Sequence, residues 1–257
     1  MSTLTYAVRD SATMLRRDFR HTLRYPVMTV ATILTPIFML LLFVYVLGGQ
    51  LSGGSRGHYL DYVIPGIIVM TVGSGCAATS VSISADMNEG VIPRFRSMAI
   101  FRPSVLIGQA VGSVIRTMLS LVLVVGTALA LGFRSSATPV EWLAATGLTL
   151  LLVIALTWVA TALGLQAKTP AAANSSTLPL QFVLPFLSSA FIDPSTMPVG
   201  LRWVAQNQPF TKVIDTLRGL LTGTPIGHSG AWALGWCVLL TVVGFVGARA
   251  VFNRDGS

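Results

Sequence analysis

Long uncharged apolar runs fill most of the chain, separated by short clusters of charge, proline and glycine. No Asp, Glu, Lys or Arg falls between Arg24 and Arg56, between Asp61 and Asp86, or between Glu141 and Lys168. A helix that crosses a bilayer needs about 20 apolar residues, and these runs supply them. The pattern predicts span one at 27–47, kinked at Pro36, and span two at 63–84. Span three follows at 104–131 with Arg116 inside it, and span four at 140–166. The stretch 171–192 is uncharged but interrupted by Pro179 and Pro185, so a broken or short fifth helix is expected. Span six is expected at 231–250. The fold class is therefore all-α and integral to a membrane, a single transmembrane domain with six helices.

Two polar stretches have helical periodicity of another kind. In 4–24, Leu4, Val8, Ala12, Leu15, Phe19 and Leu23 alternate with Arg9, Arg16, Arg20 and Arg24 on the opposite face. That is an amphipathic helix suited to lying on an anionic membrane surface, with Arg16 and Arg20 on its charged side. In 193–230, Leu201, Val204 and Ala205 precede Val213, Ile214, Leu217 and Leu220, which predicts short external helices dipping into the membrane edge, with Trp203 as an interfacial anchor. The small, polar stretch 73–80 in span two is read as a helix-packing face rather than the lining of a polar path.

Composition sharpens the class. Of 257 residues, 53% are hydrophobic and 10% charged. A soluble domain carries about 25% charge, so most of this surface faces lipid and no room is left for a soluble catalytic domain. The net charge of +8 is scattered among apolar runs, which reads as topology and not as nucleic-acid binding. With six spans the termini share a side. That side collects Arg94, Arg96, Arg102, Lys168, Arg249, Arg254 and the N-terminal arginines, so both termini are expected to be cytoplasmic in the plasma membrane. The segment 86–103 is then cytoplasmic and 193–230 external.

No catalytic motif stands in the sequence. The sequence 164–169 (GLQAKT) lacks the glycine that must precede a phosphate-binding lysine. His21, His58 and His228 are isolated, without metal-ligand spacing, and Cys76 and Cys237 lie within apolar runs. Every Asp and Glu falls in a loop or near a helix end, which weighs against an ion-coupled carrier. No cofactor is expected on this chain.

The charged break 86–103 reads DMNEGVIPRFRSMAIFRP. It resembles the coupling segment between the second and third spans of type-2 ABC exporter permeases. The N-terminal helix, the 61–66 stretch DYVIPG, and the sequences around Ser188–Pro194, Gln208-Pro209 and Asp215–Leu220 are similar to other parts of that family. The Gln-Pro form looks most like the branch of antibiotic-resistance exporters typified by the daunorubicin–doxorubicin permease. The resemblance implies a separate ABC ATPase that holds ATP and Mg, a second permease half, and outward movement of a hydrophobic or amphipathic substrate across lipid. It implies coupling through Asp86, Glu89, Gly90, Arg94, Phe95, Arg96 and Arg102, with Arg16 and Arg20 adding a weaker contact. Export of a lipid or glycan, and a channel or carrier without ATP, stand as alternatives. Arg116 is expected to face protein.

Overall fold

The computed structural model describes residues 26–48, 56–89 and 102–254. All of the regular structure in them is helical. Helix α1 (Pro26–Leu41) runs into π-type turns at Leu42–Leu47. Helices α2 (Arg56–Asn88), α3 (Arg102–Ala130) and α4 (Pro139–Gln166) follow. Helix α5 (Pro170–Leu178) passes through π turns at Pro179–Val183 into a last turn at Leu184–Phe186. Two short helices, α6 (Val199–Asn207) and α7 (Pro209–Thr222), precede α8 (Ser229–Arg254).

Among the described residues, four helices are long and apolar enough to cross a membrane: Tyr59–Asn88, Ile107–Ala130, Pro139–Gln166 and Ser229–Phe252. They answer to spans two, three, four and six of the sequence pattern. The chain alternates direction through them, so residues 131–138 and 187–228 gather with Tyr59 at one end of the bundle. Asn88, Arg102, Gln166 and Arg254 lie at the other.

Helix α2 differs from its expected bounds. The uncharged run predicts an end at 84 with Asp86 in the loop beyond, whereas the helix continues to Asn88 and contains both Asp61 and Asp86. At 1.5 Å per residue its 33 residues extend about 50 Å, well beyond a hydrocarbon layer of about 30 Å. Charged residues can thus stay helical once the helix has left the apolar layer. Helix α2 is also the hub of the bundle, packing on α1, α3, α4, α5 and α7.

Local chemistry explains the ends. Thr138 accepts from the Glu141 amide while the Glu141 side chain accepts from the Thr138 amide, so α4 opens with a reciprocal cap and Pro139 in its first turn. The P-loop-like stretch is a helix end: α4 stops at Gln166, and Thr169 caps the start of α5 by accepting from the Ala172 amide. In α5, Pro179 has no N–H for the carbonyl four residues earlier, and the register there shifts to π turns. The broken fifth helix is thus seen as a helix with a displaced register. The similar π turns at Leu42–Leu47 start six residues after Pro36, and nothing in their own sequence accounts for them.

Several threonine hydroxyls within the bundle bond back to their own helices. Thr71, Thr149, Thr161 and Thr241 each donate to the carbonyl four residues earlier, at 2.7–2.8 Å. The outer faces of α3 and α8 are apolar and exposed, with Val111, Ile115, Leu119 and Val122 on one and Leu234, Val238, Val242 and Val246 on the other. In water such stripes would associate; in a bilayer they are ordinary lipid-facing surface.

Helix α7 departs from expectation. It is not at the edge: Phe210, Val213, Ile214, Leu217 and Leu221 are buried in the main core, against α2, α4 and α8. Its apolar positions recur at helical spacing, and in this fold they meet protein. Helix α6 keeps the peripheral character, with Val199, Leu201 and Trp203 exposed.

Candidate transport and coupling sites

Three polar clusters lie along α2. The first is at the Asn88 end. Gln109 of α3 donates to Asp86, the Asn88 amide donates to the Ser84 carbonyl at 2.9 Å, and the Ser84 hydroxyl reaches the Ala167 carbonyl at 3.3 Å. Glu89 follows in an exposed turn, its N–H bonded to the Ala85 carbonyl. Of the residues that sequence assigned to coupling, Asp86 and Glu89 are placed here, and Arg102 begins α3. Gly90, Arg94, Phe95 and Arg96 lie outside the described residues, as do Arg16 and Arg20 with the whole of 4–24.

The second cluster crosses the middle of the bundle. The Thr79 and Ser113 hydroxyls are hydrogen-bonded at 2.8 Å between α2 and α3, and Arg116 donates to the Ser113 hydroxyl at 3.2 Å. Gln181, in the π turns of α5, donates to the Ser74 hydroxyl at 3.2 Å. Small residues make this possible. A β-carbon on Gly73 would lie 2.9 Å from the Leu180 carbonyl oxygen, and one on Gly75 would overlap Thr117. On the next face, a β-carbon on Gly164 of α4 would come within 2.6 Å of the Ser80 carbonyl oxygen. The stretch 73–80 is therefore largely a packing face, with hydroxyls cross-linking it to α3 and α5. Arg116 is half-buried and lies against protein on its Ser113 side.

The third cluster lies at the Tyr59 end and centres on Arg218, a residue of the family-like stretch Asp215–Leu220 that carries no role of its own in the sequence alone. Its guanidinium donates to the Tyr62 carbonyl (3.2 Å), the Ser189 carbonyl (2.7 Å) and the Asp215 carboxylate (3.1 Å). Its central carbon sits 3.9 Å over the Tyr62 ring. Asp215 also accepts from the Ser189 hydroxyl at 2.6 Å. Nearby, the Ser195 amide donates to Asp193 at 2.8 Å and holds that carboxyl below the usual carboxylate range. The contacts of Arg218 span up to 156 positions, so no local pattern carries them.

Among the described residues no group of three His, Cys, Asp or Glu is arranged to hold a metal ion. Cys76 and Cys237 are free and buried. The six described carboxylates, Asp61, Asp86, Glu89, Asp193, Asp215 and Glu141, all sit toward one end of the bundle or the other.

Such a bundle, with polar clusters at both ends and small-residue packing between, is that of a multi-pass membrane protein. Residues 10–222 match the family described as ABC-2 type transporter, and the chain belongs to that family. It is an ABC transporter permease subunit, not itself catalytic, and the subunit type implies an ATPase partner. The chain is similar to the daunorubicin resistance ABC transporter permease protein DrrB1 of Streptomyces coeruleorubidus, 30% identical over 95% of this chain and 84% of the relative. It is also similar to the probable doxorubicin resistance ABC transporter permease protein DrrC of Mycobacterium tuberculosis, at 22% over 86% of this chain and 81% of the relative.

Proposed function

We propose that this subunit forms one half of an ATP-driven exporter that moves a hydrophobic or amphipathic substrate of the drug or antibiotic type out of the cell. The observation that carries the reading is the near full-length similarity to a daunorubicin resistance permease. The placement of carboxylates supports external energy: none of those described sits in the middle of a span, where an ion-coupled carrier would use one. ATP and Mg belong to the separate ATPase, and a second permease half, a copy or a sibling, completes the path.

In this reading the membrane domain has six spans. Helix α1 with its π turns serves as the first, and α5 from Pro170 to Phe186 as the fifth. The arginine bias puts both termini and the Asp86 cluster in the cytoplasm of a plasma-membrane protein, and the Arg218 cluster outside. The ATPase docks on 86–103 through Asp86, Glu89, Gly90, Arg94, Phe95, Arg96 and Arg102, a stretch whose mixture of charged and apolar residues suits a docking surface. Arg16 and Arg20 add a second, weaker contact.

The test is co-expression with the partner ATPase, reading co-purification and drug accumulation together. Glu89→Ala and Phe95→Ala are expected to lower ATPase capture and efflux while membrane insertion is unchanged. Unchanged capture and efflux in both would reduce 86–103 to a topological loop. Transport of a lipid or glycan in place of any drug would move the substrate class and leave the ATP coupling standing.

A further inference from the structure

We propose that Arg218 is the positioning residue of a latch that holds the turn after helix α5 between α2 and α7 and keeps the outer end of the bundle shut. The assignment of this end to the outside rests on the export reading; the latch itself rests on geometry.

The latch begins in the sequence of α2. Pro65 has no N–H to give the carbonyl four residues earlier, and Gly66 beside it has no side chain, so the first turns of α2 can be approached closely. The chain after α5 uses that opening. A β-carbon on Gly66 would lie 2.7 Å from that of Ala190, so the turn rests directly on α2. Ser188 and Ala190 are wholly buried, and the Phe191 ring stacks on Phe43, in the π turns after α1, at 4.1 Å. On the other side the turn meets α7 through Ser189 and Asp215.

One guanidinium ties these three segments together. Arg218 stands on α7, takes one carbonyl from α2 and one from the turn, and pairs with Asp215 on its own helix. A planar donor fork can serve two carbonyls and a carboxylate at once; a lysine ammonium is a point charge without that geometry. The bonds are polar and lie near a helix end, where water can replace them when the turn moves. An apolar plug would lack that exchange. Movement of this turn away from α7 requires the Ser189 bonds to Arg218 and Asp215 to break.

The test is accessibility of the turn in intact cells. Cys76 and Cys237 are replaced by Ala, and Ser188→Cys is introduced; Ser188 is not one of the Arg218 ligands. An impermeant maleimide is applied from outside, with and without Arg218→Gln, Arg218→Lys or Asp215→Asn. Labelling is expected to be slow in the parent, about tenfold faster with Arg218→Gln, and intermediate with Arg218→Lys, as a local opening equilibrium predicts. If Arg218→Gln does not insert, Arg218→Lys and Asp215→Asn decide by the same criterion. Labelling of the inserted variants that is unchanged both in intact cells and in inside-out vesicles overturns the latch; acceleration only in inside-out vesicles overturns the outside assignment and leaves the latch. Faster labelling in a protein that exports nothing would refute the export reading and leave the latch intact.

Discussion

Gly66 and Ala190 touch backbone to backbone: a β-carbon on Gly66 would sit 2.7 Å from the Ala190 β-carbon and 2.9 Å from its carbonyl oxygen. Both neighbours are fixed, one in a helix and one in a buried turn. Gly66→Ala must therefore separate α2 from the turn, at a cost of about 1–3 kcal/mol for overpacking. Gly126 of α3 is the control, because a β-carbon there meets nothing within 4 Å. Gly126→Ala should be neutral or stabilising by up to about 1 kcal/mol through helix propensity. Thermal unfolding in detergent is expected to show a lowered midpoint for the first variant only.

The Thr79–Ser113 bond should be worth little. In a bundle of this kind such bonds average about 0.6 kcal/mol, because the separated helices find other partners. A double-mutant cycle of Thr79→Val and Ser113→Ala is expected to return a coupling near that value. A coupling several times larger would make the hydroxyl pair a principal support of the α2–α3 contact.

Arg116→Leu removes a residue that costs about 2.5–3.5 kcal/mol to insert at a helix centre. It also removes one donor to Ser113. The variant is expected to insert at least as well as the parent and to export the same compounds. A changed substrate profile with unchanged protein level would make Arg116 a substrate contact.

Asp193 sets a pH test outside the spans. The Ser195 amide holds its carboxyl below the ordinary value of 3.8, with the Arg218 and Arg202 charges acting in the same direction. The sign follows from the lowered value: the contribution is present above pH 3.8 and is lost as pH falls through the lower folded value. The Ser195 amide resonance should shift in that acid window. In Asp193→Asn it should stay flat.

Spans two, three, four and six were legible because uncharged runs of membrane length have few other uses. Helix ends were less so: the reading treated Asp61 and Asp86 as stops, but a helix longer than the hydrocarbon layer carries them in its protruding turns. Pro179 marked the irregularity in α5, though not that it would be a register shift with Gln181 turned onto Ser74. The burial of α7 could not be read, since an amphipathic helix looks the same against lipid and against protein. Arg218 was invisible as a cluster because its carbonyl partners at 62 and 189 are backbone atoms, which leave no mark in side-chain identity. The coupling residues from Gly90 to Arg96 were named from resemblance, and the described residues include only the two ends of that segment.

Those two ends are joined. Gln109 donates to Asp86, so the chain that leaves α2 and returns as α3 does so from a bonded base. Closing a loop costs conformational entropy that rises with its length, and here part of that cost is met inside the fold before any partner arrives. The same bond ties α2 to α3 at this end, so a displacement of one helix there is carried to the other.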